Sequence, residues 1–163
     1  MEEISDLTVA LHELSVIFWR GSLEDICFGR ESEFSRNIQN FVTLNGKIGI
    51  AAIEIILQEK KFLPNLTAES LLWITDIKRP DILDSRRELL EKALFDTDPV
   101  IRGDALTAVH LLNDPYFIPI LQKLIEFEKS QWNLPHLLKQ VIDCTQRVIN
   151  DLEREKEKNC GQS

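Results

Sequence analysis

The chain has 163 residues, 44% of them hydrophobic and 28% charged, with six glycines and six prolines, a composition that excludes disordered, collagen-like and low-complexity classes and is long enough for one buried core. Nineteen basic against twenty-seven acidic side chains leave a formal charge of −8, a surface that repels phosphate backbones and argues against a nucleic-acid partner. The imbalance is greatest in residues 1–45, where 8 acidic face 3 basic side chains, a balance of −5.

The apolar stretch Ile48 to Ile53 is cut by Glu54, far short of the roughly 20 residues that a membrane-spanning helix needs, and the opening Met1-Glu2-Glu3 is acidic where a secretory signal would be basic. Three cysteines, Cys27, Cys144 and Cys160, form no Cys-x-x-Cys and cannot all pair, which fits reduced thiols. The expectation is a cytoplasmic protein with no membrane contact. Cys144 falls in an apolar stripe and is expected in the core; Cys160, in the tail, is expected to be exposed.

Helical periodicity runs nearly throughout. Val9, Leu11, Leu14, Ile17 and Phe18 step by three and four after Ser5 or Asp6, predicting a helix from about Ser5 to Trp19 that stops near Gly21. A second covers Glu33 to Leu44. Asn45-Gly46 then reads as a helix-to-helix turn rather than a hairpin, because the flanks do not alternate. Lys47 to Glu59 is a third helix. Thr67 is the expected N-cap of a fourth, which carries Leu71, Ile74 and Ile77 and ends before Pro80.

Ser85-Arg86-Arg87-Glu88 has capping-box spacing ahead of Leu89, Leu90, Ala93 and Leu94. Asp98-Pro99 and Asp114-Pro115 each place a side-chain acceptor before a proline suited to the first helical position. A last helix is expected from near Asn133 through Leu152, dissolving into a charged, solvated tail over residues 153–163. No segment reads as a strand. The basic pairs Lys60-Lys61, Lys78-Arg79 and Arg86-Arg87 are expected on solvated faces.

The helices recur as pairs every 33 to 38 residues or so, at Lys47 to Lys78, Ser85 to Leu112 and Asp114 to Leu152. The run from Leu89 to Leu106, Leu-Leu-Glu-Lys-Ala-Leu-Phe-Asp-Thr-Asp-Pro-Val-Ile-Arg-Gly-Asp-Ala-Leu, resembles the HEAT and HEAT-like (phycobilisome-lyase-type) repeat families. It has their leucine-rich first helix, Asp-x-Asp-Pro turn, arginine, and a small residue where helices meet. Asp114-Pro115 looks like the start of the next unit. The match is strongest from Ser85 to Phe127; residues 1–45 match no named pattern.

The resemblance implies an all-α, right-handed α-α superhelix (solenoid) in one domain: an N-terminal helical cap over residues 1–45, about three antiparallel helix pairs over 46–152, and the tail. It implies that Asp96, Asp98 and Arg102 tie adjacent turns together, and Ala105 is placed at a close helix contact. Extended grooved surfaces of this kind bind proteins, so the chain is expected to be a non-catalytic scaffold or adaptor. Its second helices would present Glu69, Leu72, Thr75, Asp76, Asp104, Thr107 and His110 to a basic protein partner. Trp73 is expected between helices, and Trp132 in an exposed loop contact.

Catalytic signatures are missing from the sequence. His12, His110 and His136 are too dispersed for a zinc site, and neither a phosphate-binding glycine loop nor a nucleophile elbow occurs. Glu69 with Asp76, or Asp104 with His110, are the imaginable acid–base pairs. No cofactor is expected. The resemblance also keeps open a bilin-lyase-like, chromophore-associated subunit and, more remotely, a nucleic-acid-handling helical repeat.

Overall fold

The computed structural model of the chain describes residues 2–161. Every regular element among them is helical: α1 (Glu2–Arg20), α2 (Leu23–Phe28), α3 (Glu33–Asn45), α4 (Lys47–Glu59), α5 (Pro64–Trp73), α6 (Leu83–Leu94), α7 (Pro99–Leu112), α8 (Ile118–Gln131) and α9 (Pro135–Cys160), with single 3-10 turns at Gly29–Glu31, Ile74–Asp76, Pro80–Ile82 and Pro115–Phe117. The described chain divides into two compact units, Met1–Ala105 and Leu106–Ser163, and the division falls inside α7 rather than at a linker.

In the first unit α1 packs on α4 and α4 on α6, while α3 packs on α5. Two rows of helices result, joined where α3 meets both α1 and α4. Leu14 and Phe18 of α1, Ile38 and Phe41 of α3, Ile56 of α4, and Leu89 and Leu90 of α6 are buried as their periodicity predicts, whereas Val9 of α1 is 55% exposed and α4 turns Ile50 and Ile53 inward where Ile48 and Ile55 were expected. Phe18 anchors the entry to the core, with the Phe34 ring edge-on at 5.3 Å and Phe62 at 5.0 Å.

Several helix starts differ from expectation, each for a local reason. α2 was not foreseen; the Asp25 carboxylate accepts the Ser22 backbone N–H at 2.7 Å and opens that short helix. α5 begins at Pro64 instead of at a Thr67 cap, because proline's fixed φ starts a helix where its missing N–H is not needed. Thr67 Oγ1 instead donates back to the Leu63 carbonyl. α5 stops at Trp73, and its expected last turns to Ile77 are a 3-10 turn followed by extended chain.

The Ser85–Glu88 capping box does not form, since the 3-10 turn at Pro80 has already launched α6 by Leu83. Asp98 behaves as read: its carboxylate accepts the Val100 N–H at 2.9 Å and Pro99 opens α7. Asp114 likewise accepts from the Tyr116 N–H, but opens a 3-10 turn before α8.

Lys60, Lys61 and Lys78 are exposed as expected, but Arg86 is buried and closes a helix end. Arg86, 9% exposed, donates from Nη1 to the carbonyls of Ile74 at 3.2 Å and Ile77 at 3.0 Å, which lie where α5 has run out of partners for its last C=O groups. Arg102 does the same for the α6–α7 turn, donating to the carbonyls of Asp96 at 2.9 Å and Thr97 at 3.2 Å. Arg79 reaches the Thr43 carbonyl at 2.6 Å and Asp81 at 2.7 Å, over Gly46, whose φ of 57° links α3 to α4. Its hydrogen bonds hold the Asp81 carboxyl below the ordinary carboxylate range. Lys60 binds both oxygens of Asp96 at 2.6 Å, and Lys92 meets Glu54.

In the second unit α8 and α9 lie against one another and against the Pro115–Phe117 turn. They bury Phe117, Leu121 and Leu124 with Val148, Ile149 and Leu152. The predicted tail is helical as far as Cys160; Gln162 and Ser163 lie outside the described residues. Cys144 corrects its core assignment: it is exposed, as are Cys27 and Cys160. No helix among the described residues is long and apolar enough to cross a membrane.

Arg86→Ala removes a charged donor from two buried carbonyls and should cost about 1.5–3 kcal/mol in chemical denaturation, whereas Arg87→Ala, on the more exposed neighbour, should cost well under half as much. Equal losses would show that the Arg86 guanidinium does not close α5.

Candidate functional site

α5 is enclosed nearly all round: Leu66, Thr67, Ala68, Glu69, Ser70, Leu71 and Trp73 are all buried. A glutamate on such a helix has no solvent face to turn to. Glu69 is 6% exposed, and the charged group acting on it is another acid, Asp104, from the second turn of α7. Burial first, and Asp104 second, push the Glu69 carboxyl up to about 7. The half-buried Asp104 carboxyl is also raised, by burial.

The Trp73 indole stands one turn along α5 from Glu69. Its N–H is buried without a well-formed hydrogen bond, yet close enough to favour the charged form of Glu69 slightly. Among the described residues, Asp104 and the Trp73 indole act on Glu69 and no cation does. Burying an uncompensated carboxylate costs enough that such a group takes up a proton or a positive partner. Of the two, Glu69 is buried and Asp104 half-buried.

The other residues singled out from sequence are dispersed. Asp76 is exposed and pairs with Arg30 at 3.2 Å, so the Glu69–Asp76 pair does not exist. Leu72 is half-buried, and Thr107 is exposed. His110 pairs through Nε2 with Asp151 at 3.0 Å instead of with Asp104. Trp132 corrects its exposed-loop assignment: it is partly buried, and its indole N–H donates to the buried Glu128. Trp73, 8% exposed, is packed as expected.

Among the residues given structural roles, Asp96 binds Lys60 of the preceding turn and the Asp98 N–H, Arg102 binds the turn carbonyls, and Ala105 is fully buried. No group of three or more His, Cys, Asp or Glu side chains among the described residues could hold a metal ion. Glu69 and Asp104 alone fall short of the six or more oxygens that calcium gathers.

Sequence reasoning named Glu69 and Asp104 separately and missed that they meet. The available signal was the repeat interval. Lys60 and Asp96 are 36 residues apart, Thr43 and Arg79 also 36, and Glu54 and Lys92 38; Glu69 and Asp104 differ by 104 − 69 = 35. In each case the partner lies about one such interval along the chain. Comparison with models of protein families, with curated proteins and with solved structures finds no match to this chain.

Because Glu69 holds its proton more tightly when folded, its favourable contribution is whole below about pH 4.5 and is lost as pH rises through 7. Stability should therefore fall across that window by on the order of 1–2 kcal/mol, allowing for screening. Glu69→Gln should flatten this slope in urea titrations run at several pH values. An unchanged slope would remove Glu69 as its source.

Proposed function

We propose that the chain is a non-catalytic, HEAT-like docking module that holds a basic segment of another protein against its α5–α7 face. The observation that carries this reading is the meeting of Glu69 and Asp104 without a balancing cation. A guanidinium or ammonium from a partner would supply the missing charge, and charge-assisted hydrogen bonds to carboxylates are among the stronger polar contacts. The net charge of −8 favours approach of such a segment over long range.

The repeat architecture is supported by two features of the first unit: the double row of helices, and polar ties that recur at intervals of 36 to 38 residues. Lys60 to Asp96 links successive turns, and Arg102 closes the turn in which Asp96 sits. The Lys60 tie is the role that the HEAT resemblance implies for Asp96, while the Arg102 bonds to the Asp96 and Thr97 carbonyls lie within its own turn. Stacked helix pairs of this kind offer extended surfaces whose binding residues come from successive second helices, and α5 and α7 contribute the two acids here.

The test uses a short arginine-containing peptide as probe, with binding followed by tryptophan emission and by calorimetry. Affinity should rise as pH is raised through 7, where Glu69 ionises. It should fall with added salt, and drop about tenfold in Asp104→Asn, a change of ~1.4 kcal/mol. Binding that is indifferent to Asp104→Asn, or that strengthens with salt, would overturn the reading.

A further inference from the structure

Away from the acidic pair, the first unit leaves one helix face without a principal partner. α1 packs mainly against α3 and α4, and a groove of about 410 Å³ opens along the α1–α3 seam. Val16 and Ile17 line it from α1, and Phe41 and Leu44 from α3. Leu44 is 83% exposed, and Val9, about two turns before Val16 on α1, is 55% exposed. Helices that begin a stack normally turn a polar face outward, so this apolar stripe is a departure that an occupant would explain.

The charges flanking the groove identify the occupant. In a chain of net −8, this groove carries one acid and one strong base, Glu13 and Arg20, together with asparagine amides. It holds no excess negative charge to attract a basic partner. What it holds is a pattern complementary to itself. Residues 13, 16, 17 and 20 follow i, i+3, i+4, i+7 spacing and share one face of α1.

If two α1 helices cross antiparallel about a two-fold axis midway between residues 16 and 17, Val16 of one meets Ile17 of the other. Glu13 then meets Arg20, and symmetry makes each pairing occur twice. The antiparallel crossing also opposes the two helix dipoles favourably. We propose that the α1–α3 groove is the interface of a two-fold homodimer, occupied by α1 of a second copy of this chain. The contact is separate from Glu69 and Asp104, so it stands or falls independently of the docking reading.

Sedimentation of the full chain over a dilution series tests this, with far-ultraviolet dichroism as a check on folding. Val16, Glu13 and Arg20 are all exposed, so substitutions there leave the core intact. The wild type should show a monomer–dimer equilibrium below about 1 mM, an affinity expected of a small interface, and Val16→Glu should leave monomers. Glu13→Arg and Arg20→Glu should each weaken the dimer about tenfold, and the double variant Glu13→Arg/Arg20→Glu should regain most of the lost affinity. Three outcomes would overturn the proposal: monomers throughout the series, a dimer insensitive to Val16→Glu, or a double variant no tighter than the single ones.

Discussion

The fold of the first unit depends on how it ends its helices. Helices lying side by side in two rows leave their last carbonyls in tight turns under neighbouring elements, where water has little access and an unpaired C=O is costly. Long cationic side chains solve this. Arg86 serves the end of α5, Arg102 the turn after α6, and Arg79 the end of α3. Each is rooted on a later segment than the carbonyl it reaches, so closing a helix end also fixes the next element against it. Hydrophobic stripes supply most of the cohesion, but stripes slide, and these directional bonds set which turn sits beside which.

Glu69 presents a different problem, one of charge. The helix that carries it is buried on nearly every side, and the neighbouring residue on α7 is another acid. Two like charges in a shielded setting oppose folding at neutral pH, and an apolar or amide side chain would pack there at lower cost. Local conflicts of this sort concentrate where a surface does something besides hold itself together. The chemistry left unfulfilled is that of a positive group, which is why the binding interpretation centres on this pair rather than on the more exposed acids such as Asp76, already matched by Arg30.

Much of the secondary structure was legible from periodicity and punctuation. α4 occupies Lys47–Glu59 as read, α3 runs one residue past its predicted end, and Pro99 opens α7 behind the Asp98 acceptor. The failures share a cause. At Thr67 and Ser85 a plausible capping residue was preferred over a nearby proline, and in each case the proline opens the helix or the 3-10 turn leading into it. The acidic pair was half legible: both residues were named, but neither local spacing nor charge balance could say that α5 would be enclosed.

Sequence alone determined that the chain would be helical and where most of its helices would lie, because those properties follow from backbone preferences and from the 3.6-residue repeat of side chains along one segment. Only the tertiary structure decided that Arg86 is an interior tie rather than a surface charge, that Cys144 faces outward, that Trp132 is held by Glu128, and that Glu69 meets Asp104. None of these follows from the periodicity of one segment: Arg86 reaches carbonyls 9 and 12 positions back, Glu128 holds Trp132 from just inside the end of α8, and Asp104 stands 35 positions from Glu69.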